Sequence, residues 1–330
     1  MHLDELPMII FTTIAQMSVG AFVILGCIQL AGRLRGVRNE AIDRVTNAGM
    51  YAAGPLLVLG FFAAFFHLND PFHALYTMLH FQSSWLSREI LFGVLYGAFG
   101  LAFALTQWFG WLSRKVRDVL AVLTALSGIA LVVSMVGVYA SLPTVPAWNS
   151  WFTWVLFFGS AAFTGSLAVA LALAATWQQQ HNRSVGKQGG IRGFLSAGLF
   201  PAGELPNEVG ELTARSIRTL TAVSVIAGAV MLVAYPFHMA QLGLGTAAQQ
   251  QVAQNMMHNG YLAIRLVSLA LTVVLVVLAA RGNALANKTP TRKLVTLLTI
   301  CLVLAVATEL LGRGLHYEGL VRDGINTVFG

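Results

Sequence analysis

Long apolar segments, each sufficient to cross a lipid bilayer, are separated along this chain by short polar gaps. A membrane-spanning helix needs about 20 mostly apolar residues. Eight segments qualify, at approximately 8–30, 45–67, 87–110, 116–140, 150–176, 217–240, 260–281 and 292–315. Only 10% of the 330 residues are charged, whereas a soluble domain has about 25%. The sequence therefore predicts an all-α integral membrane protein with eight transmembrane helices, forming one polytopic domain over 1–330.

Basic residues and histidines alternate between the gaps. Every second gap is basic, and these gaps together hold 16 of the 20 Lys and Arg residues. Seven of the eight histidines lie in or beside the other gaps: His2, His67, His73, His80, His238, His258 and His316. Because Lys and Arg in short loops mark the cytoplasmic side, both termini are predicted to lie on the outer side. The role of basic residues in orienting the chain in a membrane also explains the net charge of +7 better than a nucleic-acid-binding face does. We therefore expect the protein to be surrounded by lipid.

The connections between the segments differ in character. The longest inner connection, 177–216, contains glycine, proline and mixed charges, and we interpret it as a flexible cytoplasmic loop rather than a separate domain. On the outer side, 68–86 is predicted to be a loop and 241–259 is a Gln-rich connection.

The few ionisable groups near the outer ends of the apolar segments are candidates for function, because such groups are costly in lipid. Glu89 lies in the first turn of the third segment. Glu309, Arg313 and His316 have i, i+4 and i+7 spacing and are predicted to share one helix face. Glu309 and Arg313 could instead simply neutralise each other. His67, at the end of the second segment, could be merely an interfacial residue.

A quinol fits this one-sided distribution of polar groups. The inner half has no Asp, Glu or His well inside a segment, which disfavours a proton pump. A quinol enters through the bilayer and must lose protons as its electrons leave, and histidine accepts protons near neutral pH. A b-type cytochrome is an alternative, with His67 and His238 as the conceivable haem pair. A transporter is a weaker alternative, since few polar residues lie at the middle of the segments. Cys27 and Cys301 are isolated and predict no metal site.

Five segments carry a resemblance to a known family across nearly the whole chain. They are ELPMIIFTTIAQMSVGAF (5–22), FFHLNDP (65–71), LSREI (86–90), VYASLPTVPAWNSW (138–151) and ELLGRGLHY (309–317). In this order, and with outer termini, the chain resembles the membrane anchor subunit of bacterial dimethyl sulfoxide reductase. More distantly, it is similar to the quinol-interacting membrane subunits of polysulfide and nitrite reductases.

The resemblance implies a place in a respiratory complex. Such subunits lie in the bacterial inner membrane with periplasmic termini, and they anchor a molybdopterin catalytic subunit and a ferredoxin-like [4Fe–4S] subunit. They oxidise menaquinol to menaquinone, contain no haem or metal of their own, and pass the electrons to the nearest cluster. The family's functional His and Glu match His67 and Glu89. Glu309, Arg313 and His316 are added to the quinol pocket from helix spacing alone. The terminal electron acceptor, which the catalytic subunit selects, stays open.

Overall fold

The described part of the chain is a bundle of long helices. The computed structural model describes residues 6–67, 80–184, 207–258, 260–286 and 290–322. Its helices are α1 (Leu6–Leu34), α2 (Asn39–His67), α3 (Trp85–Phe109), α4 (Arg114–Ala140), α5 (Trp151–Ser184), α6 (Asn207–Gly243), α7 (Ala247–His258), α8 (Tyr261–Ala286) and α9 (Arg292–Glu318). The predicted all-α membrane fold is therefore confirmed.

Seven of these helices are long and apolar enough to cross a membrane: α1, α3, α4, α5, α6, α8 and α9. The second predicted segment, 45–67, lies in α2, which is not among the seven within the described residues. The count of eight spans and the side of the termini therefore stay predictions.

Two predicted connections are more helical than expected. α5 continues to Ser184 and α6 begins at Asn207, so both ends of the predicted 177–216 loop are helical. Its central part, 185–206, and most of the predicted 68–86 loop lie outside the described residues. The 241–259 connection contains α7, whose Val252, Ala253 and Met256 pack against Ala147 and Leu242. Although the sequence of α7 is rich in Gln, burial of these few apolar side chains stabilises it as a helix.

The helices α1 and α5 form the centre of the bundle. Of the 18 most apolar consecutive residues in each of these two helices, 67% are buried, compared with 28% in α3 and α8. α3 and α8 instead expose large apolar side chains, including Leu101, Val267 and Leu271. Because lipid tails are as apolar as these side chains, such faces need no protein cover in a membrane.

Glycines allow α1 and α5 to cross closely. A Cβ atom on Gly20 of α1 would lie 1.9 Å from the carbonyl oxygen of Ala161 on α5. A Cβ on Gly165 of α5 would lie 2.5 Å from the backbone nitrogen of Ala21. The two backbones are therefore in direct contact, as small residues permit between membrane helices.

Ion pairs join the helix ends at one end of the bundle, which we call the basic end. Arg33 of α1 makes a two-pronged contact with Asp118 of α4, at 2.7 and 2.6 Å. Arg114 of α4 pairs with Asp43 of α2. Arg38 donates to Glu208 of α6 at 2.7 Å, and this hydrogen bond raises the pKa of the Arg38 guanidinium. The opposite end, where α2, α4, α6 and α9 finish, carries the polar groups described next and is called the site end.

Candidate functional site

A buried ion pair joins α8 and α9 at the site end. Nη2 of Arg265 lies 2.8 Å from Oε1 of Glu309, and the two side chains are 0% and 1% exposed. Gly312 makes room for the pair, because a Cβ there would lie 2.8 Å from Nε of Arg265. Glu309 makes its direct ion pair with Arg265, while Arg313 lies within electrostatic range of the same carboxylate. The partner of Glu309 comes from the neighbouring helix.

Arg313 brings a second guanidinium to the same region. Its Nη2 donates to Oε1 of Gln16 on α1 at 2.5 Å, and its Cζ lies 3.5 Å from the centre of the Phe157 ring. Three buried guanidinium atoms, Arg265 Nε and Nη1 and Arg313 Nη1, have no hydrogen-bond partner among the described residues. Two arginines facing one glutamate leave an excess of positive charge and unused donors.

His316 lies one turn beyond Arg313 and is enclosed by aromatic rings. The Trp148 indole stacks on its imidazole at 5.4 Å between ring centres, and Nε1 of Trp148 donates to the His316 carbonyl at 2.6 Å. The side chain is buried, yet its Nε2 has no partner within the described structure. The ring is thus held in position while one nitrogen remains available.

A tyrosine pair lies beside His316. The hydroxyls of Tyr139 on α4 and Tyr317 on α9 are 2.8 Å apart, and the Tyr139 ring centre lies 4.9 Å from that of His316. Glu89, buried on α3, is within electrostatic range of Tyr139. Tyr139 therefore links the Glu89 side of the bundle with the α9 side.

A small cavity lies beside His316. Its volume is about 10 Å³, and its lining includes Tyr235 and His238 of α6, Phe152 of α5 and Met256 of α7. Phe152 stacks on the His238 imidazole, with 4.2 Å between ring centres. Buried polar atoms without a partner in the described part occur on three lining residues: the Tyr235 hydroxyl, His238 Nδ1 and His316 Nε2.

A larger cleft lies between α1, α2, α5 and α9. Its volume is about 470 Å³, and Met17, Pro55, Leu171 and Leu302 are among the mostly apolar residues that line it. Met17 follows Gln16, the hydrogen-bond partner of Arg313. On α1, a residue that lines the cleft is thus next to a residue that contacts the polar site.

The structure brings together three of the five predicted site residues. Glu309, Arg313 and His316 are buried on one face of α9. Glu89 is also buried, but it lies on α3, within electrostatic range of Tyr139. His67 is the last residue of α2, and its side chain lies outside the described residues. Its predicted role stays a prediction.

Sequence reasoning missed Arg265, Gln16 and Tyr235, and considered His238 only for haem. Arg265 had a usable signal, because a lone arginine inside an apolar segment is costly unless it is paired. Gln16 and Tyr235 had none, since polar residues of this kind are common at helix interfaces and membrane boundaries. Groups of three or more His, Cys, Asp or Glu that could hold a metal ion are not found among the described residues.

These features define a helical membrane protein with a desolvated, positively charged polar site at one end of its bundle. A model of the family described as "DMSO reductase anchor subunit (DmsC)" matches residues 1–186. This match covers more than half of the sequence, and the protein belongs to that family. The matched part contains Gln16, Glu89, Tyr139 and Trp148, whereas the charged residues of α8 and α9 lie beyond it.

Curated relatives are similar over a shorter stretch. A component of the anaerobic dimethyl sulfoxide reductase of Escherichia coli K12 is 36% identical over 96 residues, which span 29% of this protein and 32% of that relative. A component of the sulfite dehydrogenase of Allochromatium vinosum is 31% identical over 103 residues, 31% of each protein. Each match thus spans about a third of the relative's length. The protein is therefore a multi-pass membrane protein of the anchor-subunit family.

Proposed function

We propose that this protein anchors a molybdopterin oxidoreductase complex in the bacterial inner membrane and oxidises menaquinol. The electrons pass to a ferredoxin-like [4Fe–4S] subunit docked at the site end, and the catalytic subunit delivers them to the terminal acceptor in anaerobic respiration. Family membership supports the anchoring role. The relatives named as components of dimethyl sulfoxide reductase and sulfite dehydrogenase support a redox complex with catalytic partners.

The observation that carries the proposal is the buried polar site on α8 and α9. A charged side chain without a full set of partners is costly inside a membrane protein, so its presence there indicates a binding region. The unused donors of Arg265 and Arg313 suit an oxygen that becomes negative as a hydroxyl loses its proton. Stabilising developing charge with fixed donors in a water-poor site is an effective form of catalysis.

The proton acceptors are assigned to one residue of α2 and one of α3. We propose that His67 accepts a proton from the quinol and that Glu89 assists it, with Glu309, Arg313 and His316 completing the pocket. Glu89 suits this role because it is buried on α3 and has no ion pair within the described structure. The 470 Å³ cleft is large enough to admit an apolar tail from the lipid.

Two variants of the assembled complex test this assignment. His67→Ala removes the proposed acceptor, and we expect weaker binding of a fluorescent quinol-site inhibitor, together with a loss of menaquinol oxidation. Glu89→Gln keeps the shape of the side chain but is unable to take up a proton. We expect it to bind the inhibitor nearly as tightly and to lose about 10²–10⁴-fold in oxidation rate, the usual contribution of a general base.

The controls are His258→Ala and Glu40→Gln, which change the same residue types at exposed positions. Both should behave as the wild type does. If His67→Ala binds the inhibitor normally and still oxidises quinol, the residue assignment is wrong. If the wild-type complex itself oxidises no quinol, the proposed function is wrong.

A further inference from the structure

We infer that the small cavity beside His316 holds a water molecule that carries protons from the quinol pocket to the outer surface. Tyr235, His238 and His316, which line it, then form a proton exit path. The role of this path rests on the proposed quinol oxidation, whereas the water site itself does not.

The first argument comes from three buried polar atoms. His238 Nδ1 and His316 Nε2 have no hydrogen-bond partner in the described part of the molecule, and their residues are 2% and 5% exposed. The hydroxyl of Tyr235, which is 2% exposed, also lacks a partner of good geometry, although the Arg265 guanidinium lies near it. Leaving one such atom unsatisfied costs about 1–3 kcal/mol. All three belong to residues that line the same cavity, so one polar guest could satisfy all of them.

The size of the cavity restricts that guest to water. About 10 Å³ is close to the smallest space that holds one water molecule, and such a water needs two to four polar partners. The remaining lining is apolar or aromatic, including Phe152, Leu156 and Leu315. These walls hold the two imidazoles in place, since Phe152 stacks on His238 and Trp148 stacks on His316.

The position of the cavity gives the path its direction. His316 faces the charged groups, because it lies one turn from Arg313 and beside Tyr139. His238 lies near the end of α6, and α7 covers the cavity with Met256. The path therefore leads from the polar site towards the site end of the bundle, which is predicted to face outward.

The surrounding charges favour onward transfer. Arg313 and His238 both act electrostatically on His316. Tyr139 and Tyr317 also flank it. Glu309, two turns back along α9, holds Arg265 of α8. The fixed positive charge of Arg313 disfavours a lasting second positive charge on His316. A proton received there is therefore passed on.

Each menaquinol releases two electrons, which leave for the iron–sulfur subunit, and two protons, which leave one at a time. Nδ1 of His316 takes up a proton that reaches it from the pocket, and Nε2 gives one up to the water, which the Tyr235 hydroxyl holds in place. The water then gives a proton to Nδ1 of His238, whose Nε2 releases one towards the site end of the bundle. Both rings are then neutral in the other tautomer, and they return to the starting one before the second proton arrives.

Chemical rescue separates a proton carrier from a structural residue. His238→Ala opens a space the size of an imidazole ring, and we expect menaquinol oxidation by the assembled complex to fall at least tenfold while the inhibitor affinity stays the same. Added imidazole should restore much of the rate, with a pH dependence that follows the protonation of the added base. His258→Ala, which removes an exposed histidine on α7, should neither lose rate nor respond to imidazole.

A second, smaller substitution tests the path in case His238→Ala fails to fold. Tyr235→Phe removes only the hydroxyl and is expected to lower the rate and increase the solvent isotope effect at unchanged inhibitor affinity. The inference is overturned if both variants keep the wild-type rate, or if the rate falls with the inhibitor affinity and imidazole restores nothing. A wild-type complex that oxidises no quinol contradicts the proposed function instead, and density for a water at Tyr235, His238 and His316 in a high-resolution map would still support the water site.

Discussion

Glu309→Gln is expected to destabilise this protein more than any other single polar substitution at the site end. The change leaves Arg265, which is 0% exposed, without its counter-charge. Breaking a buried ion pair on one side costs about 3–5 kcal/mol, since the remaining charge stays desolvated. The excess positive charge from Arg313 increases the penalty. We expect a strongly reduced yield of folded protein and a lower unfolding temperature in detergent.

A double-mutant cycle isolates the pair itself. Arg265→Gln/Glu309→Gln removes both charges and keeps hydrogen-bonding groups, so it is expected to recover much of the stability lost in either single variant. The partly exposed pair of Glu40 and Arg44, 3.0 Å apart on α2, is the matched control. Its removal should cost only about 0.3–0.5 kcal/mol, the usual value for i, i+4 surface pairs. If Glu309→Gln unfolds at the wild-type temperature, the pair does not carry the stability assigned to it.

Gly20→Ala is the second substitution for which we expect a large effect. The new methyl group would lie 1.9 Å from the Ala161 carbonyl oxygen, and a backbone atom is unable to move aside in the way that a flexible side group does. The α1–α5 crossing must therefore open. Overpacking of this kind usually costs about 1–3 kcal/mol, and a backbone clash at the centre of the bundle should reach the upper end of this range.

The same helix provides the control. A Cβ on Gly26 would meet nothing within 4 Å, and replacing a helix glycine by alanine gains about 0.5–1 kcal/mol of backbone entropy. Gly26→Ala should therefore equal or slightly exceed the wild type in thermal unfolding followed by tryptophan fluorescence. Equal loss of stability in Gly20→Ala and Gly26→Ala would show that helix propensity, rather than the close crossing, determines the result.

The α9 residues show why part of the site was predictable. Glu309, Arg313 and His316 were identified because a helix of 3.6 residues per turn places i, i+4 and i+7 on one face, and the structure buries all three. Their partners were not predictable in this way. Arg265 and Gln16 lie 44 and 297 residues from the groups they contact, and no local spacing relates positions so far apart.

The amino-acid sequence by itself determined the class of fold and identified the residues whose burial in a membrane is costly. Hydrophobicity over about 20 residues is a local property, and lipid leaves a helix as the simplest way to satisfy its backbone. Only the tertiary structure decided that Glu309 pairs with Arg265, that Gly20 and Gly165 allow two backbones to touch, and that Tyr235, His238 and His316 enclose one small cavity. Those facts depend on how helices pack side by side, and packing combines residues that are far apart in the sequence.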